Sequence, residues 1–211
     1  MPVAGRPLVE WSLDALRACD RVRSIIIAAP PGHVGELGGH DLAVVPGGAT
    51  RADSVANALQ SVGTEYVAVH DAARPLLTPA LVEALVADLD AAPAAAGVIA
   101  AAPVTDTIKR AVEGTSAELG TSEVPNSALK ILTTEDRSEL WAAQTPQVFR
   151  TAALREALVA AERPQEATDE AMLVEWDGGS VLIHPVTEPN LKVTTPLDLR
   201  VAELLLAERS A

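Results

Sequence analysis

The segment YVAVHDAARPLLTPALVEALVADLD, residues 66–90, contains a short apolar run followed by a helical pattern. The apolar run at 66–69 is predicted to form a buried strand. Thr78 suits the N-cap of a helix and Pro79 its first turn, so we expect a helix over 79–90. A strand that leads directly into a helix is the repeating unit of α/β proteins.

The rest of the chain repeats this alternation of strand and helix. Because strands separated by helices usually run parallel, we expect an α/β fold with a Rossmann-like, doubly wound and mostly parallel sheet. Helices are predicted at 8–18, 51–61, about 135–142, 151–162, 168–176 and 196–208, and further strands at 22–29, 42–45, 98–102, 180–185 and 190–193.

One region interrupts this alternation. Two extended segments, 104–112 and 130–134, enclose a polar stretch without periodicity, GTSAELGTSEVPNSA. Such a pattern favours a protruding β-arm over about 104–134. We therefore interpret the chain as one domain, 1–211, that carries an arm.

The composition restricts the possible functions. The formal net charge is −13, whereas a general nucleic-acid binder is expected to have a basic face, so nucleic acid is not an expected partner. A single cysteine, Cys19, excludes a disulfide framework. The sequence shows neither an apolar run that could span a bilayer nor the pattern of a signal peptide, which indicates a cytoplasmic protein that does not bind membranes.

The residues His70, Asp71 and Arg74 follow the predicted strand at 66–69 directly. In doubly wound folds, ligands bind beyond the carboxyl ends of the strands. Asp71 is placed to hold Mg²⁺, which prefers oxygen ligands, and Arg74 is placed to bind a phosphate. An equally good interpretation is an Asp–Arg pair that caps the next helix.

A second candidate is the glycine turn PGGATRADS at 46–54, which leads into the predicted helix at 51–61. Backbone amides exposed at such a helix start, after Gly47 and Gly48, attract anions or bases, and Ser54 lies in the first turn. The alternative is a turn without any binding role.

Four other polar residues carry weaker signals. Thr107 belongs to the segment PVTDTIKR at 103–110, which could equally be an exposed edge strand protected by its charges. Arg137, Thr168 and Lys192 are isolated polar residues without a local motif. Thr168 could cap a helix, and Lys192 could be a solvated side chain.

Several short motifs occur in a fixed order and are together more specific than any one of them: GG-x-x-R-x-D-S-V, HDAARP, APV-x-DT-x-K, W-x-x-QTPQ-x-F, TDE and N-x-KVT-x-P-x-DL. In these motifs the chain resembles the 2-C-methyl-D-erythritol 4-phosphate cytidylyltransferase family, from about Val3 to the last predicted helix. The resemblance implies a fold of the nucleotide-diphospho-sugar transferase type. It also implies attack of the substrate's phosphate on the α-phosphorus of CTP, in non-mevalonate isoprenoid biosynthesis.

The resemblance implies a set of residues for CTP and a divalent cation. Asp71 matches the carboxylate that holds Mg²⁺ and contacts the ribose side of the nucleotide. Gly47 and Gly48 match the turn that reads cytosine through backbone groups. Ser54 and Ala72 match further nucleotide contacts.

The resemblance also implies contacts to the second substrate, a polyol phosphate. Arg74 and Thr107 match polar groups near methylerythritol phosphate, and Thr168 matches a substrate contact. Arg137 resembles an arginine that is supplied across a homodimer interface formed by the arm. Lys192 matches the remaining cation near the α-phosphate, and together with the Mg²⁺ carboxylate it is expected to carry catalysis.

The start of the chain departs from the family pattern. The family opens with a strand and a glycine-rich loop that wraps the triphosphate, whereas the segment MPVAGRP at 1–7 resembles the family's sequence just after that loop. We therefore expect a chain that lacks this strand and loop, through truncation or a mis-assigned start. Unpaired backbone groups would then cost roughly 1–3 kcal/mol each, so low stability and weak catalysis are expected.

Two alternatives to this function remain open. A cytidylyltransferase for another polyol phosphate, such as ribitol 5-phosphate, shares the HDAARP motif. A CTP-binding homologue that has lost turnover is favoured by the missing loop. A dehydrogenase is disfavoured, because no G-x-G-x-x-G sequence follows a predicted strand.

Overall fold

The fold is given by a computed structural model that describes residues 2–30, 32–34, 42–113, 129–161 and 166–209. The chain forms two compact units, a larger one of Met1–Ala101 with Ala143–Ala211 and a smaller one of Ala102–Ala142. Within the described ranges, no helix is both long enough and apolar enough to cross a bilayer.

The described ranges contain ten strands, and an α-helix is the next element after five of them. The ten strands are β1 (Pro2–Val3), β2 (Arg6–Pro7), β3 (Ile25–Ala29), β4 (Leu42–Pro46), β5 (Tyr66–Val69), β6 (Gly97–Pro103), β7 (Lys109–Glu113), β8 (Leu129–Thr134), β9 (Trp141–Arg150) and β10 (Val181–Pro185).

Four of these strands form the main sheet, in the order β10-β6-β9-β5. β6 and β10 pair in parallel, whereas β5 and β9 pair antiparallel, with Val69 opposite Gln147. β3 and β4 form a separate parallel pair, and β1 and β2 form a small antiparallel hairpin. The predicted α/β class is confirmed, but the main sheet is mixed rather than mostly parallel.

The predicted helices begin close to their expected positions. α3 starts after Thr78, whose hydroxyl accepts a hydrogen bond from the amide of Leu81, and Pro79 is its first residue, as predicted. The helices of the described ranges are α1 (Leu8–Arg17), α2 (Arg51–Leu59), α3 (Pro79–Ala91), α4 (Thr151–Ala160), α5 (Glu170–Trp176) and α6 (Pro196–Arg209).

The helix predicted at about 135–142 is wrong. The chain forms a short 3₁₀ turn at Arg137–Glu139 and then continues as β9. Since β9 lies between two other strands, both faces of its second half are buried, and its side chains do not alternate between core and solvent. This buried half also contains Pro146 and Gln147, so the sequence lacks the continuous apolar run that is typical of a central strand.

The strand predicted at 190–193 is wrong as well. The amide of Val193 donates to the carbonyl of Ala73 at 2.8 Å, and the carbonyl of Asn190 accepts from the guanidinium of Arg74 at 2.6 Å. The polar backbone groups of this segment are therefore bound by the loop after β5 and not by a neighbouring strand. These contacts bring the segment to the carboxyl end of β5.

The core of the larger unit contains Phe149 of β9, which is fully buried. It belongs to one cluster with Ile99 of β6, Leu154 of α4 and Leu173 of α5. Gly97 of β6 packs flat against this ring, because a Cβ atom at Gly97 would lie 2.3 Å from Cδ1 of Phe149. The cluster also includes Leu59 of α2 and therefore joins the main sheet to three helices.

The larger unit also contains a cavity of about 890 Å³ between β3 and β5. Ile26 and Ile27 of β3 and Val67 of β5 line its apolar part, and Asp71 and Lys192 lie at its polar part. Among the strands that the structure describes, no backbone pairing joins β3 to β5. The main sheet and the β3–β4 pair are therefore linked through side chains and helices.

The smaller unit consists mainly of β7 and β8, which pair antiparallel with an irregularity between Arg110 and Ala111. Its apolar side chains Leu129, Ile131 and Leu132 are exposed. Residues 114–128 of the predicted arm lie outside the described residues.

Candidate functional site

Three cations surround the carboxylate of Asp71, just after β5. Lys192 Nζ lies 3.0 Å from Oδ2 of Asp71, Arg51 Nη2 lies 3.2 Å from Oδ1, and Arg74 Nε is more distant, 3.9 Å from Oδ2. Burial disfavours the charged form of this carboxyl, but the hydrogen bond from Lys192 and the charge of Arg51 outweigh burial and lower the pKa of Asp71. The site therefore holds a carboxylate that stays ionised at neutral pH.

A second carboxylate, Glu170 at the start of α5, contacts the same arginine. Its side chain is 1% exposed, and both carboxylate oxygens accept hydrogen bonds from Nη1 of Arg51. Burial raises the pKa of Glu170, and the neighbouring guanidinium opposes this rise. Burial also disfavours charged Arg51, but Glu170 and Asp71 outweigh it and raise the pKa of Arg51. Arg51 is thus a charged bridge between the two carboxylates.

Arg74 supports the segment that carries Lys192. Its side chain is largely buried and donates to the carbonyl of Asn190 at 2.6 Å. The N-cap of α3 is Thr78 and not Asp71. The interpretation of Asp71 and Arg74 as a helix-capping pair is therefore wrong, and the two residues belong to a charged cluster.

His70 connects the loop after β5 to β9. Its Nε2 lies 3.1 Å from the carbonyl oxygen of Arg74, which can only accept, so Nε2 carries the hydrogen. Its Nδ1 then accepts from the Thr145 hydroxyl at 3.1 Å, and that hydroxyl accepts from the amide of Asp71 at 3.0 Å. Burial lowers the pKa of His70 to about 4, so the ring is neutral and this chain of hydrogen bonds fixes the backbone of Asp71.

The buried neutral ring makes stability dependent on pH. Between pH 6.5 and about 4, His70 binds a proton in the unfolded chain but not in the folded one, so the free energy of unfolding falls as the pH drops through this window. The expected loss is on the order of 3 kcal/mol. Urea unfolding at pH 7 and pH 4.5 measures it, and His70→Gln should lose less stability between these two pH values. Equal losses in both proteins would contradict this assignment.

The glycine turn before α2 is determined by close packing. A Cβ atom on Gly48 would lie 2.1 Å from that of Asp53, and one on Gly47 would lie 3.1 Å from Oγ of Ser54. The Ser54 hydroxyl accepts from the amide of Gly48 at 3.0 Å and donates to the carbonyl of Thr50 at 2.9 Å. Ser54 therefore stabilises the conformation of the turn. The contacts of this turn with a nucleotide stay a prediction.

The remaining predicted residues fall into both units. Ala72 and Thr168 are exposed in the larger unit. Thr107 and Arg137 belong to the smaller unit, where Arg137 donates from Nη1 to the carbonyl of Thr105. The structure therefore brings Lys192 and Arg74 to Asp71. The roles of Ala72, Thr107, Arg137 and Thr168 stay predictions.

The sequence motifs contain Arg51 and Glu170 without indicating that they meet. The two residues are 119 positions apart and contact only through the fold. One local signal could have identified Arg51: it is the first residue of α2, where the helix dipole disfavours a cation unless a carboxylate lies near.

Comparison with known proteins gives a consistent result over the whole chain. The family model of 2-C-methyl-D-erythritol 4-phosphate cytidylyltransferase matches residues 1–208. The 2-C-methyl-D-erythritol 4-phosphate cytidylyltransferase of Paraburkholderia phymatum is 38% identical, and the match covers 99% of this chain and 88% of that protein. The bifunctional enzyme IspD/IspF of Anaeromyxobacter dehalogenans is 41% identical, but this chain spans only 51% of it, about half its length.

Solved structures agree with the sequence comparison. The crystal structure of 2-C-methyl-D-erythritol 4-phosphate cytidylyltransferase from Thermus thermophilus matches with a TM-score of 0.77 and 33% identity. That match covers 98% of this chain and 92% of the other. On the full-length match to the family model, supported by these relatives, this chain belongs to the 2-C-methyl-D-erythritol 4-phosphate cytidylyltransferase family.

Proposed function

We propose that this chain transfers a cytidylyl group from CTP to 2-C-methyl-D-erythritol 4-phosphate. An oxygen of the substrate's phosphate attacks the α-phosphorus of CTP, the bond to the β-phosphate breaks, and pyrophosphate leaves. The product is 4-diphosphocytidyl-2-C-methyl-D-erythritol, for isoprenoid biosynthesis. Family membership supports this nucleotidyltransferase reaction, and the cluster of cations around Asp71 is the observation that carries it.

The reaction requires two polyanions to approach each other, so positioning and charge neutralisation are the main tasks of the protein. Lys192 and Arg51 supply positive charge beside Asp71, at a strand end where ligands bind in such folds. The side chain of Lys192 is 44% exposed, so it can move from Asp71 to a phosphate oxygen. We assign to Lys192 the stabilisation of charge on the α-phosphate.

The remaining contacts follow the family pattern and are part of the same proposal. The nucleotide is held by the turn before α2 and by the loop after β5, and the polyol phosphate by the polar residues that the family pattern indicates. We place this reaction in the cytoplasm, where nucleoside triphosphates are available. The nucleotide contacts are Gly47, Gly48, Ser54 and Ala72, and the substrate contacts are Arg74, Thr107, Arg137, Thr168 and Lys192.

Asp71 fits a divalent cation that arrives with the nucleotide. Mg²⁺ is usually held by one or two carboxylates together with substrate phosphates. Asp71 is ionised, and among the described residues its Oδ2 lies 3.0 Å from Nζ of the half-exposed Lys192 and 3.9 Å from Nε of Arg74. Across the described ranges, no group of three or more acidic, histidine or cysteine side chains could hold a metal by itself. When bound beside Asp71, Mg²⁺ would neutralise phosphate charge.

The reaction is tested by measuring pyrophosphate release from CTP with methylerythritol phosphate, with ribitol 5-phosphate and without an acceptor. We expect release with methylerythritol phosphate in preference to the other two. A preference for ribitol 5-phosphate would replace the proposed substrate. Tight binding of CTP in calorimetry without any turnover would instead indicate a non-catalytic homologue.

We also propose that the arm at 104–134 joins two copies of the chain into a homodimer. The exposed apolar side chains Leu129 and Ile131, 66% and 58% exposed, support a contact surface there. Leu129→Asp combined with Ile131→Asp should convert a dimer into a monomer in analytical ultracentrifugation. The control Val159→Asp changes a more exposed apolar residue of α4, 88% exposed, and should leave the mass unchanged. A monomeric unmodified chain would contradict the proposal.

A further inference from the structure

The guanidinium of Arg51 donates hydrogen bonds to two carboxylates, those of Glu170 and Asp71. Nη1 reaches both oxygens of Glu170, while Nε and Nη2 reach only Oδ1 of Asp71, at 3.3 and 3.2 Å. Oδ2 of Asp71 lies 3.0 Å from Nζ of Lys192, which is half-exposed. The two oxygens of Asp71 therefore differ, because one faces a cation that is held in place and the other faces a cation that can leave.

Glu170 is itself held in place by the core. Nε2 of Gln147 in β9 donates to Oδ2 of Asp169 at 2.8 Å, and Oδ1 of Asp169 accepts from the amide of Met172 at 3.0 Å and so caps α5. The side chains of Gln147 and Glu170 are both fully buried. The position of Glu170, one residue after this cap, is thus determined by β9 and not by the site it faces.

Arg51 requires such a support for two reasons. As the first residue of α2, its charge is disfavoured by the helix dipole. In addition, a free guanidinium beside a carboxylate tends to bind both oxygens at once, as a two-pronged pair. Without Glu170, Arg51 could turn and occupy both oxygens of Asp71.

We propose that Glu170 is a positioning residue that restrains Arg51 to a single oxygen of Asp71. The second oxygen then stays available to the incoming nucleotide and its cation once Lys192 moves to the phosphate. This inference rests on the proposed function, since it assumes that Asp71 and Lys192 serve CTP. Glu170 acts through Arg51 and does not itself touch the substrate.

The test is a double-mutant cycle in the full chain, with kcat/KM for CTP and the Kd of CTP from calorimetry as the two readouts. Glu170→Gln is expected to lower kcat/KM about 10–100-fold and to weaken CTP binding. Glu175→Gln removes the same charge from an exposed position of α5 and should change neither value. In an Arg51→Gln background, Glu170→Gln should cost less than about a further twofold.

An equal loss from Glu170→Gln in both backgrounds would overturn the proposal, since Glu170 would then act independently of Arg51. If Glu170→Gln does not fold, Arg51→Lys provides the test, because lysine keeps the charge but cannot span two carboxylates. We expect at least a roughly tenfold loss of kcat/KM from it, and normal kinetics would overturn the proposal. A chain without any CTP turnover would count against the proposed function, whereas an active chain insensitive to Glu170→Gln counts only against this inference.

Discussion

Replacement of Asp71 by asparagine is expected to lower kcat/KM for CTP about 10³-fold. Asparagine keeps the shape of the side chain but removes the negative charge that Lys192 and Arg51 face at 3.0 and 3.2 Å. The variant loses an anionic oxygen for a divalent cation, and it loses the partner that orients Lys192. Both effects reduce the ability of the site to neutralise the charge of the triphosphate.

Steady-state pyrophosphate release measures this loss, with thermal unfolding as a check on the fold. Asp20→Asn is a matched control, because it makes the same chemical change at an exposed position and should keep full activity. A loss below about tenfold for Asp71→Asn would show that the carboxylate does not serve the reaction.

The largest expected effect on stability comes from Phe149→Ala, at about 3–5 kcal/mol of unfolding free energy. Phe149 is fully buried in the cluster that joins β9 to α4 and α5, so its removal leaves a cavity. Because domains are stable by only about 5–15 kcal/mol, this loss is a large share of the total. Urea unfolding followed by circular dichroism measures the change.

The neighbouring glycine provides the control for this packing argument. A Cβ atom at Gly97 would lie 2.3 Å from the ring of Phe149, so Gly97→Ala should destabilise the unmodified chain. In the Phe149→Ala background the ring is absent, and the same substitution should cost much less. If the losses of unfolding free energy from the two single substitutions simply added in the double variant, the direct contact between Gly97 and Phe149 would be contradicted.

The parts of the fold that could be predicted are those with local signals. Thr78 and Pro79 predict the start of α3 because an N-cap and a proline act within one turn. β9 could not be predicted, because a central strand is buried on both faces and this one includes Gln147 and Pro146. The composition of the segment at 190–193 predicts a strand, but its backbone is bound by a loop that is distant in sequence.

The site was predictable to the same limited degree. Asp71 and Arg74 follow a strand directly, so their position at a strand end could be inferred from the local pattern. The approach of Lys192 to Asp71 could be expected only from the resemblance to a family, because no local pattern links them. The contact of Arg51 with Glu170 could not be predicted, since it depends on how two helix starts meet in the folded chain.

The bridge formed by Arg51 also contributes to the stability of the larger unit. Arg51 follows β4 and Asp71 follows β5. These strands belong to two sheets that border the same cavity and between which no pairing is seen in the described part of the chain. The ion pairs that set the charge of the site are therefore also links between the two sheets. Substitutions at Arg51 or Glu170 should therefore lower the free energy of unfolding as well as change the charge of the site.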